Sequence, residues 1–256
     1  MKYDRLLTLY NETGKHSQYQ IPAKVLSNLL PVATLNIRSR FEQERLDYIL
    51  RHIECRGAQF TDIGGNTGFF TFEMIDHGAD FAIFIEGNPA HSAFVEEAAR
   101  VLKWQDQIRV YSQYFDFGND LDWVDSDICF LLNVLHHVGD DYGRNIRDVD
   151  SAKANILLSL KRLAKHVKQL VFQLGFNWQG NIEKPLFQHG TKKELIRFLE
   201  SGIRDDWSIQ NIGIAERRPN GIVYKDANSA NIERDDSLGE FLNRPIFIMR
   251  SRKIQG

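Results

Sequence analysis

A glycine-rich turn occupies residues 61–68, which read Thr61-Asp62-Ile63-Gly64-Gly65-Asn66-Thr67-Gly68. The residues at 59–63 are typical of a β-strand, and an apolar segment at 69–77 is typical of a helix. Because glycine has no Cβ, a ligand can approach the backbone of such a turn closely. The N-terminus of the following helix also favours a carboxylate or a phosphate. We therefore expect a ligand-binding turn between a strand and a helix.

An acidic residue ends the next apolar segment, which reads Phe81-Ala82-Ile83-Phe84-Ile85-Glu86. Neighbouring parallel strands place their carboxyl ends at the same edge of a sheet, so Glu86 should lie beside Gly64, Gly65 and Gly68. A carboxylate in this position can accept hydrogen bonds from the two hydroxyls of a ribose. The turn and the acid together predict a nucleotide-like cofactor.

Strands and helices alternate along the chain from residue 59 onward. Strands are predicted at 59–63, 81–86, 108–112, 127–132, 169–174, 207–214 and 245–250. Helices are predicted at 69–77, 90–102, 151–165 and 191–201. The last of these helices begins with a candidate capping box formed by Thr191 and Glu194. This alternation predicts an α/β fold with a doubly wound, mostly parallel, Rossmann-like sheet of seven strands.

The chain is interpreted as an N-terminal helical extension, residues 1–55, followed by a ligand-binding domain, residues 56–256. Within the extension, Leu46, Ile49 and Ile53 fall near one face of a helix predicted over 41–53. Two polar segments interrupt the alternation in the domain, at about 138–150 and at 216–240. Loops that follow parallel strands emerge at the carboxyl ends, so we expect both insertions to cover the substrate side.

The composition excludes several classes of protein. The 256 residues are 43% hydrophobic and 26% charged, which is ordinary for a soluble globular chain, and the formal net charge is −2. This charge gives no overall attraction to nucleic acid or to an anionic membrane. The two cysteines, Cys55 and Cys129, are too few for a disulfide framework, and no apolar run is long enough to span a bilayer. We expect a cytoplasmic protein with no membrane insertion.

The spacing of the glycines selects among the nucleotide cofactors. A dinucleotide site requires Gly-x-Gly-x-x-Gly. If Gly64 is the first glycine of this motif, Asn66 and Phe69 stand where the second and third glycines are required. A phosphate-binding P-loop requires Gly-Lys-Ser/Thr, which is also missing. The pattern that remains is Asp-x-Gly-x-x-x-Gly followed by an acid at the end of the next strand. It resembles the class I S-adenosylmethionine-dependent methyltransferases, with Asn66 replacing the middle glycine of that family.

The resemblance implies an antiparallel last strand, a bound S-adenosylmethionine and roles for single residues in the domain at 56–256. Asp62 would orient the glycine loop and the amino group of the methionine moiety, and Glu86 would hold the ribose hydroxyls. Gln113 would contact the adenine, and Asn133 would lie where the methionine end of the cofactor meets the substrate. Asn66 would keep the turn open, because asparagine tolerates the left-handed backbone better than most residues.

Two adjacent histidines, His136 and His137, follow the fourth predicted strand, close to where the transferred methyl is expected. A histidine titrates near neutral pH and can remove a proton from an attacking hydroxyl, so both are candidate catalytic bases. The alternative is that one of them only packs or caps a helix. A metal site that also uses Asp140 and Asp141 is disfavoured, because adjacent helical side chains point about 100° apart. We therefore predict no metal.

The acceptor of the methyl group is not fixed by the sequence. Arg38, Arg40, Arg144 and Arg147 can hold a phosphate or a carboxylate, or can be solvated surface charges. We expect a small molecule, a phosphorylated sugar or a glycan end as substrate. The chain is also faintly similar to the methyltransferase-like enzymes that modify the tRNA wobble uridine, but no basic stripe supports nucleic acid. A catalytically inactive module that only binds the cofactor is a further alternative.

Overall fold

A single eight-stranded sheet forms the centre of the protein. The structure is a computed structural model that describes residues 4–12, 19–32, 35–119 and 121–254. The strands are β1 (Gln59–Ile63), β2 (Phe81–Ile85), β3 (Ile108–Tyr111), β4 (Ser126–Leu132), β5 (Val167–Gln173), β6 (Trp207–Arg218), β7 (Gly221–Asp226) and β8 (Ile246–Ser251). Their spatial order is β3-β2-β1-β4-β5-β8-β6-β7.

The direction of the strands agrees with the predicted doubly wound sheet. β1 to β5 pair in parallel, with Ile63 of β1 opposite both Ile85 of β2 and Leu131 of β4. β8 lies between β5 and β6 and is antiparallel to both. The fold class and the antiparallel last strand are therefore confirmed.

The predicted number of strands was wrong, because residues 216–240 are not a continuous loop. β6 extends to Arg218, and β7 returns antiparallel to it as a hairpin at the edge of the sheet. Ile222 and Tyr224 of β7 are buried whereas Val223 between them is exposed, which is the alternation of a half-buried strand. The charged residues that surround this short pattern hid it in the sequence.

Seven α-helices cover the two faces of the sheet. They are α1 (Asp4–Glu12), α2 (Glu42–Ile49), α3 (Phe69–Asp76), α4 (Pro89–Leu102), α5 (Val149–Leu163), α6 (Lys192–Ile203) and α7 (Gly239–Leu242), counted within the described residues. Side chains of α1 to α4 pack into one apolar cluster, and those of α5 and α6 pack into a second cluster on the opposite face. No helix in the described part of the chain is long and apolar enough to cross a membrane.

The helices begin at residues whose side chains satisfy the free backbone N–H groups of the first turn. Asn88 accepts from Ala90 N at the start of α4, and Asp148 accepts from Ser151 N at the start of α5. The predicted capping box of α6 is confirmed, since Thr191 and Glu194 bond to each other's backbone. Because α5 follows β4 and α6 follows β5, these capped starts lie near the carboxyl edge of the sheet, the edge that a ligand would occupy.

The N-terminal extension shares the core of the domain in its described part; the prediction for residues 1–3, 13–18 and 33–34 lies outside the described residues. Leu6 and Leu46 are fully buried in the same cluster as Phe60 of β1. The Tyr48 hydroxyl of α2 donates to Asp226 at 2.7 Å, so α2 is held against the β6–β7 hairpin. The extension therefore contributes residues to the carboxyl edge of the sheet.

Candidate functional site

Three parallel strands end side by side and bring the predicted site residues to one edge of the sheet. Gly64 follows β1, Glu86 follows β2, and Asn133 follows β4. The strand register aligns the last residues of β1 and β2, so Gly64 and Glu86 start from the same level. The carboxyl edge at β2, β1 and β4 is therefore the candidate site.

The glycines of the turn are required by the packing of the protein itself. Gly64 has a φ of +73°, and a Cβ there would lie 2.5 Å from Val134 Cγ2. A Cβ on Gly65 would lie 2.4 Å from the Phe84 ring. Asn66 adopts a φ of 55°, the left-handed conformation that asparagine was expected to tolerate. The turn thus passes tightly between the ends of β2 and β4.

The start of α3 is not a free anion site, contrary to our expectation from the sequence. The side chain of Gln20, which is 7% exposed, lies over it. Its Oε1 accepts hydrogen bonds from Phe69 N and from Thr67 Oγ1, both at 3.0 Å. The extension thus occupies the position at which the helix N-terminus would hold a ligand carboxylate or phosphate. Residue 20 is far from the turn in sequence, so no local pattern signals this contact.

Asp62 is a buried carboxyl group poised near neutral pH. It is 3% exposed and its Oδ2 accepts a hydrogen bond from Thr71 Oγ1 at 2.7 Å. Burial raises the pKa of Asp62 to about 7, although the bonds from Thr71 oppose this effect, and the charge of Glu86 adds to it. A cation beside Asp62 would stabilise the ionised form, so the group suits a ligand that carries an ammonium.

Glu86 is held by the backbone of two neighbouring turns. Its Oε2 accepts from Asn66 N at 2.9 Å, and its Oε1 accepts from Asn88 N at 2.7 Å. Each carboxylate oxygen can accept a second hydrogen bond, and the side chain remains 14% exposed. Glu86 is therefore oriented and still able to accept from a ribose diol.

An aromatic side chain that sequence reasoning missed lies beside Glu86. The ring of Tyr114 covers Gly87, where a Cβ would be 2.4 Å from ring atoms, and the tyrosine is 55% exposed. Desolvation raises the pKa of Tyr114, and the charges of Asp141 and Glu86 contribute further. Gln113, our candidate for the adenine contact, is the exposed residue just before it. The sequence signal for this contact is Gly87, the residue after Glu86, because a glycine leaves room for the ring of Tyr114.

Asn133 is part of a polar network at the ends of β4 and β5. Its Oδ1 accepts from Arg244 Nη1 at 2.8 Å, and its Nδ2 donates to Gln173 Oε1 at 2.9 Å. Gln173 Nε2 donates in turn to the carbonyl of Arg244 at 2.9 Å. Arg244 was not predicted, because it precedes β8, far from the other site residues in the sequence. Asn133 therefore joins the ends of β4 and β5 to an arginine, and the next residue, Val134, packs against Gly64.

The two histidines differ in their surroundings. His136 is 3% exposed, its Nδ1 accepts from Gly175 N at 3.3 Å, and burial lowers its pKa well below the usual value. The His137 side chain is 28% exposed, and its Nδ1 lies 3.9 Å from Asp141 Oδ2. The geometry of His136 fits the packing role that the sequence left open, whereas His137 can reach a ligand.

One cluster in the described residues has the composition of a metal site, and it lies away from this edge. Ligand atoms of Glu73, Asp76 and His77 on α3 lie within 4.8 Å of one another. Glu73 already accepts a hydrogen bond from Lys24 N at 2.5 Å. At the site itself, the bond from Gly175 N occupies His136 Nδ1, so this nitrogen is not free to bind an ion.

Both predicted insertions contribute to the same edge. In the first insertion, the charges of Asp140 and Asp141 contribute to the raised pKa of Tyr114, whose ring covers Gly87 next to Glu86. In the second insertion, Glu240 accepts from the backbone N–H of Phe176 and pairs with Arg244 at 2.5 Å. Of the four arginines singled out in the sequence, Arg38, Arg144 and Arg147 are exposed and Arg40 is half-buried.

Solved structures with the same fold include methyltransferases. The bifunctional kinase-methyltransferase WbdD aligns with 96% of this chain and 46% of its own, at 14% identity and a TM-score of 0.61. A Streptococcus mutans protein considered a SAM-dependent methyltransferase aligns with 82% of this chain and 48% of its own, at 9% identity and a TM-score of 0.51. A Streptococcus thermophilus protein considered a hemolysin covers 85% and 68%, at 15% identity and a TM-score of 0.51.

These likenesses show a Rossmann-like fold that the chain shares with solved methyltransferases. The chain spans about half the length of WbdD. No protein-family model and no curated protein sequence matches the chain. The fold is thus established by structure, and the reaction has to be inferred from the site.

Proposed function

We propose that the chain transfers a methyl group from S-adenosylmethionine to an oxygen or nitrogen atom of a small molecule, a phosphorylated sugar or a glycan end. The observation that carries this proposal is Glu86, oriented by Asn66 N and Asn88 N at the end of β2. In this sheet order, an acid at that position suits a ribose diol. The methyltransferases among the structural neighbours support the same reading of the fold.

The residues at the carboxyl edge fit the parts of this cofactor. The Glu86 oxygens would accept from the ribose hydroxyls, and the exposed Tyr114 ring offers a flat face next to them for the adenine, with Gln113 alongside. Asp62, with a pKa of about 7, would ionise beside the ammonium of the methionine moiety. Gly64, Gly65, Asn66 and Gly68 would shape the turn beneath it. When bound, the cofactor supplies an electrophilic methyl carbon.

The residues around Asn133 would position the acceptor. In-line displacement requires the acceptor atom behind the methyl carbon, and a base only when that atom starts protonated. His137 would take the proton from a hydroxyl, because it is partly exposed and lies 3.9 Å from the Asp141 carboxylate. His136 would fix the segment after β4 to the segment after β5, because it accepts a hydrogen bond from Gly175 N.

A cofactor-binding module without turnover is the second candidate. It is favoured by the hydrogen bonds inside the turn: the N–H groups of Gly64 and Gly65 contact Ile85 O, and Gln20 occupies the start of α3. Fewer backbone donors therefore remain for a ligand than in an open glycine loop. A tRNA-modifying enzyme is a third alternative that the net charge of −2 does not favour.

Calorimetric titration and a methyl-release assay test the proposal. We expect S-adenosylmethionine and its demethylated product to bind with one site per chain, and NAD not to bind. A panel of hydroxylated and phosphorylated sugars, assayed for release of the demethylated product, then separates an enzyme from a binding module. Binding of NAD with no binding of S-adenosylmethionine contradicts the proposal.

A further inference from the structure

Three arginines from distant parts of the chain converge on one phenyl ring. The guanidinium carbons of Arg40, Arg45 and Arg244 lie 5.0, 5.3 and 5.3 Å from the centre of the Phe241 ring. The ring attracts each cation, but it carries no net charge to neutralise them. We call Arg40, Arg45, Arg244 and Phe241 the arginine cluster.

The carboxylates of the described residues do not balance this cluster. Glu42, which is fully buried, lies 3.5 Å from Arg45, and Glu240 pairs with Arg244. Arg40 has no carboxylate within 4.0 Å in the described part of the chain, and its guanidinium stacks on Tyr19 at 4.5 Å. Within the described residues, three guanidinium groups thus face two carboxylates, which leaves one positive charge for a ligand.

Among the described residues, a buried hydrogen-bond donor of the cluster also lacks a partner. Arg45 is 4% exposed, and no described acceptor lies within reach of its Nε. Burial lowers the pKa of Arg45, Glu42 opposes this effect, and the charges of Arg244 and Arg40 lower it further. Such close like charges are costly without a compensating anion.

The cluster borders the acceptor side of the proposed site. Arg244 donates to Asn133 at the end of β4, and Arg45 Nη1 lies 3.4 Å from Gln173 Oε1 at the end of β5. The ribose acid Glu86 lies at β2, and the sheet order places β5 three strand spacings from β2, about 14 Å. The cluster therefore lies beyond β4 from the ribose end of the site.

We propose that the arginine cluster binds an anionic group, a phosphate or a carboxylate, on the methyl-accepting substrate. The geometry that carries this is the convergence of Arg40, Arg45 and Arg244 beside Asn133, with two paired carboxylates among the described residues. Guanidinium groups form paired, charge-assisted hydrogen bonds to such oxyanions. The inference rests on the proposed function, because it takes the anion to be on the acceptor and not on the cofactor.

Inorganic phosphate and malonate are the probes of the cluster, and the thermal midpoint of unfolding is measured as each is titrated. Each titration is done on the ligand-free protein and again with S-adenosylhomocysteine present. Each probe should raise the thermal midpoint of the wild type with increasing concentration. In Arg40→Gln the apparent affinity should fall about tenfold or more, and Arg40→Lys should be intermediate. Arg38→Gln is the matched control, since Arg38 is exposed and two residues away, and it should behave as the wild type.

Substitution at Arg40 is preferred because its contact with Glu42 uses the backbone N–H, which glutamine retains. If neither probe stabilises the wild type, or if Arg40→Gln and Arg38→Gln respond alike, the proposal is overturned. A fall in S-adenosylmethionine affinity in Arg40→Gln, with unchanged binding in Arg38→Gln, would assign the cluster to the cofactor carboxylate and also overturn it. Binding of the probes without any binding of S-adenosylmethionine would retain the anion site and refute the proposed function.

Discussion

The glycine turn and the arginine cluster lie at the same edge of the sheet but are built in opposite ways. The turn and its acid come from two consecutive strands, within residues 61–86. The cluster combines Arg40, which precedes α2, with Arg244, which precedes β8. Local chemistry therefore makes one half of the site, and long-range topology makes the other half.

The two regions also differ in the sign of their charge. Asp62 and Glu86 place carboxyl groups beside the turn, whereas guanidinium groups surround Phe241. A positively charged cofactor and an anionic acceptor would therefore be drawn to different halves of the edge. The carboxyl groups and the guanidinium groups belong to different residues, so each half can be perturbed separately, although the hydrogen bond from Arg244 to Asn133 runs between them.

Removal of the candidate base is expected to have the largest effect. His137→Ala should lower turnover by roughly 10²–10⁴-fold for a hydroxyl acceptor while the affinity for S-adenosylmethionine stays almost unchanged. His136→Asn is the control, since its Oδ1 can still accept from Gly175 N. Turnover with and without a chelator should be compared. Equal activity of both variants would mean that positioning alone suffices, and loss of activity with the chelator would favour a metal.

The cofactor half should reveal itself through the pH dependence of stability. The folded protein binds the Asp62 proton more tightly than the unfolded chain does, because its pKa rises from 3.8 to about 7. The free energy of unfolding should therefore fall as pH rises from about 4 to about 7, and then stay level. Over this pH range, the free energy of unfolding of the wild type should fall by roughly 4 kcal/mol more than that of Asp62→Asn. Urea unfolding of the two ligand-free proteins at a series of pH values measures the difference.

Asp127 provides the opposite case. Lys168 and the backbone N–H of Gln59 lower the pKa of its carboxyl group, so Asp127→Asn should remove stability at neutral pH and not at acidic pH. The Asp62 prediction is contradicted if the stability of Asp62→Asn and that of the wild type change with pH in parallel. That result would show that Asp62 does not titrate in this range.

Loss of the ribose acid should weaken cofactor binding by a smaller amount. Glu86→Ala should reduce the affinity for S-adenosylmethionine by on the order of 1–3 kcal/mol, because charge-assisted hydrogen bonds are lost. Glu86→Gln should lose less, since an amide oxygen can still accept from Asn66 N or Asn88 N. Calorimetry measures both. An unchanged dissociation constant in Glu86→Ala would remove Glu86 from the site.

The smallest effect is expected from the substitution of Lys192, which contacts the second insertion, residues 216–240. Lys192 is 2% exposed, and its Nζ donates to the carbonyls of Asn231 and Glu233 at 3.1 and 2.6 Å. Lys192→Met should lower the free energy of unfolding by about 1–2 kcal/mol, since both carbonyls lose a charged donor. Lys193→Met is the control, because Lys193 pairs with the exposed Glu233 carboxylate and its loss should change stability little. Similar losses in both variants would contradict this role.

Sequence patterns predicted the features that depend on near neighbours. Local spacing predicts the strand at 59–63, the acid Glu86 at the end of the neighbouring strand, and the capping box of Thr191 and Glu194. The contacts of Gln20, Tyr114 and Arg244 were missed, because each depends on a segment that the fold brings from elsewhere. β7 was missed since its alternation spans only a few residues among charged ones.

The position of β8 determines when the site is completed during folding. β8 lies between β5 and β6, although it follows both in the sequence. A chain that emerges from the ribosome can form the parallel strands and the β6–β7 hairpin early, but in the described sheet β8 is the strand that pairs with both parts. Non-local pairing of this kind is slow compared with local contacts. Because Arg244 lies two residues before β8, we expect it to reach Asn133 only at this final step, so a nascent chain with a finished glycine turn would still lack part of the arginine cluster.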